Sequence, residues 1–227
     1  MAMRTPGDDL DLAAGFLLTD GWIRSIGDVG TLAFCPNEDH PDLKNIVDSH
    51  LVDETRPVRT DRSVWANSSC GLCGKATLES IRQNSVPIES RVTVSRDLVS
   101  ALPAPMLRRQ VNFGQTGGIH AAGLFDVTGK LLFVREDIGR HNAVDKVVGA
   151  ALRAETLGVA STMIVSGRLG FEIVQKALVA RIPIVASVSA PSSLALELAR
   201  DFGMTTLGFV RGDSMNIYTH PERIVHR

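Results

Sequence analysis

The sequence predicts an α/β protein whose C-terminal half contains a mostly parallel β-sheet. From residue 131 onward, short apolar runs rich in β-branched residues alternate with segments of helical spacing. Two of these runs, 163–165 and 184–186, are apolar without any polar alternation, which is typical of strands buried on both faces. Four strands separated by three helices therefore indicate a parallel sheet that is covered on both faces.

The elements of this half follow one another at short spacing. The predicted strands are 131–134, 162–165, 182–188 and 205–210, and the helices between them are 143–156, 171–180 and 193–202. Just upstream, residues 121–134 read as a hairpin, because a Gly-containing loop at 126–129 separates two apolar runs. The middle of the chain is therefore expected to join the sheet.

The first half is less regular and reads as a smaller α+β region. A helix is predicted over 8–19, where acidic residues favour the positive end of the helix dipole. Strands are predicted at 45–52 and 91–94, followed by a short helix that Ser95 could cap. We therefore divide the chain into an N-terminal region, 1–110, and an α/β domain, 111–227.

Composition and charge exclude several classes of protein. The 227 residues are 44% hydrophobic and carry a formal net charge of −1, so no nucleic-acid partner is expected, because phosphate binding needs an excess of Lys and Arg. No apolar run reaches the roughly 18 to 20 residues of a membrane-spanning helix, and no signal-type segment follows Met1. We expect a cytoplasmic protein without a membrane partner. Three cysteines are too few for a disulfide framework and indicate reduced thiols.

The pair Cys70 and Cys73 is the clearest candidate for chemistry. Glycines follow both thiols, at Gly71 and Gly74, and allow a partner to approach the backbone closely. A helix predicted over 76–81 places this loop at a helix N-terminus, where the dipole favours the thiolate. At least one of the two thiols should therefore be nucleophilic.

Three interpretations of this loop remain open from spacing alone. A zinc site would need further ligands such as Cys35 or His40, and the chain has no second CxxC pair. A thioredoxin-type redox pair fits the spacing, although the loop precedes the βα alternation. Sulfur relay through a persulfide requires only an accessible nucleophilic thiol. The zinc-deaminase signature is not met, because the H-x-E triplet ending at Glu222 follows the cysteines and Ser69 replaces the required proline.

The loops that follow the four predicted strands share a cationic, hydroxyl-rich and glycine-rich character. Ligands of open parallel sheets bind beyond the carboxyl ends of the strands, and here those ends run into 135–142, 166–168, 187–193 and 211–213. Arg offers a bidentate fork to phosphate, and small residues at helix N-termini expose backbone N–H groups. The loops therefore predict a phosphate-bearing ligand, with His120, His141 and Asp213 as further candidate contacts.

Six segments together resemble the formate dehydrogenase accessory sulfurtransferase family, FdhD. They are 3–10, 70–74, 116–122, 135–146, 166–168 and 189–193. The block 135–146 makes the resemblance specific, and the matches extend over essentially the whole chain. The resemblance implies a cytidine-deaminase-like three-layer sandwich that lacks the deaminase zinc site, so no metal ligands are expected.

The resemblance also implies a function. Family members are taken to accept sulfur from a cysteine desulfurase as a persulfide and to pass it to the molybdenum bis-molybdopterin guanine dinucleotide cofactor of formate dehydrogenase. Cys70 matches the persulfide cysteine and Cys73 its neighbour. The nucleotide end of the cofactor, for which GDP is a partial analogue, is assigned by the same match to Phe209, Val210, Arg211, Gly212, Asp213 and Ser214. The strand-end loops add Arg168, Ser189 and His141 as further cofactor contacts.

Two hypotheses from different classes follow. The first is a sulfurtransferase whose partners are a cysteine desulfurase and formate dehydrogenase, expected as a homodimer. The second is a non-catalytic chaperone that binds the cofactor while the CxxC pair is structural or holds zinc. Persulfide formation on Cys70 or Cys73 distinguishes the two.

Overall fold

A computed structural model describes residues 2–35, 44–53 and 86–226 of the chain. Within these ranges the helices are α1 (Asp9–Thr19), α2 (Arg96–Ala101), α3 (Pro103–Arg108), α4 (Val111–Thr116), α5 (Arg140–Arg153), α6 (Phe171–Val179) and α7 (Ser193–Asp201). The strands are β1 (Val29–Phe34), β2 (Val47–Leu51), β3 (Val94–Ser95), β4 (His120–Phe125), β5 (Leu131–Asp137), β6 (Thr162–Val165), β7 (Ile184–Ser187), β8 (Thr205–Arg211), β9 (Ser214–Thr219) and β10 (Ile224–Val225). No helix in these ranges combines the length and the apolar character needed to cross a membrane.

The main sheet has six strands in the order β5-β4-β6-β7-β8-β9. Pairing is parallel only between β6 and β7 and between β7 and β8, and the other three pairs are antiparallel. The prediction of a mostly parallel sheet was therefore wrong, and the sheet is mixed. The physical reason is connection length: the β4–β5 and β8–β9 connections are tight, and a tight turn can join only antiparallel strands.

The hairpin also explains why the four predicted strands still run in one direction. Because β4 is antiparallel to both of its neighbours, β5 and β6 point the same way on either side of it. Two small sheets complete the strands of the described residues: β1 pairs with β2 in an antiparallel ladder, and β3 pairs with β10 in a parallel one.

The two faces of the main sheet are covered differently. The long helices α1, α5, α6 and α7 all contribute to one apolar cluster, together with sheet residues such as Met163 and Val185. Right-handed crossovers that advance in one direction along a sheet place their helices on the same face. The other face carries Ile164 and Ile184 and is covered by residues of β3, α2, α3 and β10. The sheet and the elements on its two faces therefore form three layers. The likeness to the cytidine-deaminase fold stays a prediction.

Helices α1 and α5 cross with their backbones in contact. A Cβ added at Gly15 would lie 1.8 Å from the carbonyl oxygen of Asp145, and one added at Gly149 would lie 1.9 Å from that of Asp11. Only glycine permits this approach at both positions. The crossing fixes the N-terminal helix on α5, whose first turn begins beside the carboxyl end of β5.

The described residues of the predicted N-terminal region pack against the α/β half. Helix α1 confirms the helix predicted over 8–19 and lies in the first cluster. The Ser95 hydroxyl accepts a hydrogen bond from Leu98 N at 3.2 Å and caps α2, as predicted. Helix α2 contributes Val99 to the second cluster. The boundary between residues 110 and 111 falls between α3 and α4 and stays a prediction.

Candidate functional site

The carboxyl ends of β5, β6, β7 and β8 meet at one edge of the main sheet, where β4 begins. We call this the strand-end edge and define it as His120 with residues 137–141, 166–170, 187–192 and 208–213. It brings together four loops that the sequence marks as cationic and hydroxyl-rich. Three networks of contacts hold these loops in place.

The loops after β6 and β7 are joined by a buried hydroxyl and by backbone pairing. Ser187 Oγ, fully buried, donates to the Gly167 carbonyl at 2.6 Å and accepts from Ser189 N at 2.9 Å. Leu169 N donates to the Ala190 carbonyl at 3.1 Å. Because each loop holds the other, Arg168 and Ser189 are presented from one rigid unit.

The end of β8 is tied to the same unit. Phe209 N donates to the Ser189 carbonyl at 3.1 Å, and Arg211 Nε donates to the Val188 carbonyl at 3.2 Å. A Cβ added at Gly208 would lie 2.9 Å from Pro191 Cδ, so glycine lets β8 approach this loop. The predicted contacts Ser189 and Arg211 therefore lie close together, because Ser189 accepts from Phe209 and Arg211 donates to Val188, the residue before Ser189.

The predicted nucleotide segment, 209–214, divides by burial. Phe209 has a φ of 55°, which is uncommon for a non-glycine residue, and its side chain is 41% exposed. Val210 is fully buried in the second cluster, so only its backbone can reach a ligand. Gly212 also has a positive φ, of 51°, and Asp213 and Ser214 are exposed in the β8–β9 turn.

Four cationic or imidazole side chains gather at the β4 and α5 end of the edge: His120, Arg140, His141 and Arg168. We call them the cation cluster. A Cβ added at Gly167 would lie 3.1 Å from ring atoms of His120 and 3.7 Å from Arg140 Cδ, so both side chains lie over this glycine. Burial lowers the pKa of His120, and the positive charges of Arg140, His141 and Arg168 lower it further. His120 therefore lies in a region of positive potential.

His141 has a carboxylate partner within the fold. Its Nε2 lies 2.8 Å from Glu172 Oε2, on the first turn of α6. The hydrogen bond from His141 lowers the pKa of Glu172. This residue, predicted as a ligand contact, thus already bridges α5 and α6 at the edge.

Part of the block 135–146 has a structural role. The Glu136 carboxylate accepts from Asn112 N and Phe113 N, at 2.9 and 2.8 Å, and so caps the start of α4. Arg135 pairs with Asp11 of α1 at 2.8 Å. Charge in this block is therefore not by itself a sign of ligand binding.

The centre of the block is a buried ion pair that anchors the N-terminal segment. Lys146 Nζ lies 2.8 Å from Asp137 Oδ2, with both side chains at most 1% exposed. Asp137 also accepts from Thr5 N at 3.1 Å, and Lys146 donates to the Thr5 carbonyl at 2.8 Å. The pair therefore holds Thr5 against the loop that begins α5.

Two residues of the edge were predicted only weakly: Arg140 as part of the loop 135–142, and His120 as a further candidate contact. Arg140 follows the N-cap residue Gly139 directly, and the spacing of a glycine, an arginine and a helix start is the signal that would have found it. His120 was only a candidate, since one histidine beside a glycine is a weak signal. The structure places both against Gly167.

The predicted sulfur-carrying residues, Cys70 and Cys73, lie outside the described residues. The described cysteine, Cys35, is half-buried just after β1. A hydrogen bond to the Asp48 carboxylate, burial and the negative charge of Asp48 all raise the pKa of its thiol. Among the described residues, no three or more His, Cys, Asp and Glu side chains gather as a metal site would require.

Comparison with known proteins places the chain in a family. The profile of the FdhD/NarQ family matches residues 1–225. A Mycobacterium bovis protein described as the sulfur carrier protein FdhD is 47% identical over 234 residues, which cover 99% of this chain and 85% of that protein. A protein of the same description from Saccharolobus solfataricus is 45% identical over 223 residues, covering 98% and 82% of the two chains.

A solved structure shares the fold. The crystal structure of a protein described as a formate dehydrogenase accessory protein from Desulfotalea psychrophila superposes with a TM-score of 0.77 at 27% identity, covering 99% of this chain and 83% of that one. The family match, the relatives and this fold agree with the resemblance of the six motif segments. The chain therefore belongs to the FdhD/NarQ family.

Proposed function

We propose that this chain is a sulfur carrier that supports the maturation of formate dehydrogenase. The observation that carries the proposal is the match to a family whose members from bacteria and an archaeon are described as sulfur carriers. The match includes the segment with Cys70 and Cys73 as well as the strand-end edge. The two parts would act in sequence, the thiols as the sulfur acceptor and the edge as the binding site for the molecule that receives the sulfur.

The receiving molecule in this proposal is the molybdenum bis-molybdopterin guanine dinucleotide cofactor, which is a substrate here. Its diphosphates carry negative charge, and the edge fits such a group. Arg140 and Arg168 have no carboxylate within ion-pair distance among the described residues. The Nε atom of Arg140 is buried without a hydrogen-bond partner in the same part of the chain. An anion would compensate both guanidinium groups.

The residues near β8 suit the guanine end of this substrate. Phe209 offers an exposed aromatic ring for stacking a base. Arg211 is exposed beside it, with its Nε held by the Val188 carbonyl, which leaves its terminal nitrogens to face solvent or a ligand. Asp213 could accept hydrogen bonds from the base or the ribose.

Loading of sulfur needs a thiolate and a sulfur donor. The thiolate of Cys70 would attack the outer sulfur of the persulfide on a cysteine desulfurase. One S–S bond forms on Cys70 as the S–S bond of the donor breaks, and the donor leaves as a thiolate. Cys73, three residues on, is the alternative acceptor.

Loading is tested by incubating the protein with a cysteine desulfurase and cysteine, followed by alkylation and peptide mass spectrometry. We expect a reducible additional sulfur on the peptide with Cys70 or Cys73, and we expect its loss in the Cys70→Ala, Cys73→Ala double variant. Cys35→Ala is the matched control and should load normally, because the raised pKa of that thiol keeps it protonated.

A different outcome would exclude sulfur transfer. Stoichiometric zinc on Cys70 and Cys73 with no added sulfur would indicate the non-catalytic chaperone instead. Undiminished support of formate dehydrogenase by the double cysteine variant would also contradict the proposal.

A further inference from the structure

The strand-end edge is too wide for all its cations to contact one phosphate group. Between β4, which carries His120, and β8, which carries Arg211, lie β6 and β7. Three strand spacings of about 4.8 Å separate the two residues by about 14 Å. The cation cluster and the Phe209–Arg211 segment are therefore placed to bind different groups of a ligand, or different ligands.

The cation cluster is a site assembled from three separate elements. His120 comes from β4, Arg140 from the start of α5, and Arg168 from the loop after β6. Both His120 and Arg140 lie over Gly167, where a side chain would meet the imidazole at 3.1 Å. The glycine thus leaves room beside the imidazole and the guanidinium groups, and an anion bound there would screen the positive charges of Arg140 and Arg168.

Hydrogen bonding in the cluster is incomplete. The Nε atom of Arg140 is buried without a partner within the described ranges. The ring of His120 likewise makes no hydrogen bond to another described residue, although it is only partly exposed. A buried donor without a partner in the fold calls for a bound ligand or an ordered water.

The negative groups near His120 are already neutralised. Asp137 is its cross-strand neighbour in the β4–β5 hairpin, and it pairs with Lys146. Glu172 of α6 is held by His141. The charges that lower the pKa of His120 are those of Arg140, His141 and Arg168, and of these His141 is paired with Glu172.

We propose that His120, Arg140 and Arg168 form a separate phosphate or diphosphate subsite, and that His120 takes up a proton when the anion binds. The three side chains supply two fixed positive charges and one that appears on binding. The inference rests on the proposed function only in assigning this anion to the phosphate end of a guanine nucleotide. Phe209 and Arg211 would then hold the other end.

The sign of the pH dependence follows from the surroundings of His120. In the free protein, burial and neighbouring cations lower its pKa, so the ring is neutral near pH 7. A bound anion favours the charged ring and raises its pKa. The His120 ring then holds more protons in the complex than in the free protein, so its contribution to the affinity increases as the pH falls from about 8 towards 6.

The probe is inorganic pyrophosphate, which carries the phosphate chemistry without a base or ribose, titrated calorimetrically into the full chain. Titrations in buffers of different ionisation enthalpy measure the protons taken up. We expect Arg140→Gln to weaken pyrophosphate binding about ten- to hundredfold and His120→Asn to abolish most of the proton uptake. His50→Asn on β2 and Arg200→Gln in the last turn of α7, both exposed, are the matched controls and should bind as the wild type does.

GDP in the same titrations separates this inference from the proposed function. Binding of GDP but not of pyrophosphate by the wild type would overturn the subsite and leave the proposed function standing. Binding of pyrophosphate but not of GDP would support the subsite and contradict the proposed function. Unchanged affinity in Arg140→Gln, or unchanged proton uptake in His120→Asn, would also overturn the subsite.

A direct titration covers the case in which a variant fails to fold. The His120 ring can be followed by NMR in the wild-type protein across pH 5 to 8, with and without pyrophosphate. We expect its midpoint to move upward on binding. A midpoint that does not move would exclude His120 as the proton acceptor.

Discussion

At the level of single residues, the charged block 135–146 combines two tasks that the sequence does not separate. Arg140 and His141 face the strand-end edge, whereas Asp137 and Lys146 are buried beneath it as an ion pair. The pair is satisfied by further hydrogen bonds to Thr5. Because burying charge is unfavourable unless each group is paired, this arrangement fixes the loop that presents Arg140.

Removing one partner of the pair should therefore be costly. Lys146→Met leaves the Asp137 carboxylate buried without its cation, and we expect a loss of about 3 to 5 kcal/mol in the free energy of unfolding. Urea denaturation measures this loss. The exposed Lys130→Met serves as the control and should change stability by less than about 0.5 kcal/mol.

The double variant tests whether the charge is the cause. Asp137→Asn combined with Lys146→Met should recover part of the lost stability, since no buried charge remains. A loss below about 1 kcal/mol for Lys146→Met alone would show that the pair is not a major source of stability.

At the level of elements, much of the C-terminal half could be predicted from the pattern of apolar residues. The strand predicted at 162–165 is observed with the same bounds, and α6 and α7 differ from prediction only at their C-terminal ends. These segments are buried on one or both sides, so their composition reports their packing. Ser192 caps α7 by accepting from Ala195 N at 3.3 Å.

Other elements could not be predicted, because their pattern of apolar residues is too weak. Strand β9 is an edge strand in which Met215 and Thr219 are buried and the other residues are exposed or half-buried. Neighbour order and strand direction do not follow from periodicity either, because they depend on contacts between segments distant in the chain. The same limit applies to the edge: the loops could be named from the sequence, but the gathering of His120 and Arg140 over Gly167 could not.

The crossing of α1 and α5 gives a prediction about elements. Alanine usually stabilises a helix relative to glycine, by up to about 1 kcal/mol. Gly149→Ala should do the opposite, because its Cβ would lie 1.9 Å from the Asp11 carbonyl oxygen. We expect a loss of at least about 2 kcal/mol in unfolding free energy as the helices separate.

Helix α4 contains a matched control. A Cβ added at Gly114 meets nothing within 4 Å, so Gly114→Ala should be neutral or slightly stabilising. Thermal and urea unfolding of both variants compare the two sites directly. Similar stability for Gly149→Ala and the wild type would mean that the helices can move apart without loss.

At the level of the whole molecule, the proposed function assigns sulfur and cofactor to different parts of one chain. Cys70 and Cys73 belong to the segment 54–85, outside the described residues, and the strand-end edge is formed by the main sheet. A carrier of this kind has to load sulfur at one place and bind the receiving molecule at another. The two activities should therefore be separable by single substitutions.

Arg211→Ala and Cys70→Ala should separate these activities in opposite directions. Arg211→Ala removes a charge-assisted contact of roughly 1.5 to 3 kcal/mol, so calorimetry should show about a ten- to hundredfold loss of GDP affinity. Persulfide loading should stay normal in this variant, because loading requires only the cysteine segment. Arg200→Ala is the control for Arg211→Ala, since it also removes one exposed arginine.

Cys70→Ala should keep GDP affinity and thermal stability while losing support of formate dehydrogenase. Unchanged GDP affinity in Arg211→Ala would remove that residue from the binding site, and loss of both activities in either variant would show that the two parts do not act independently.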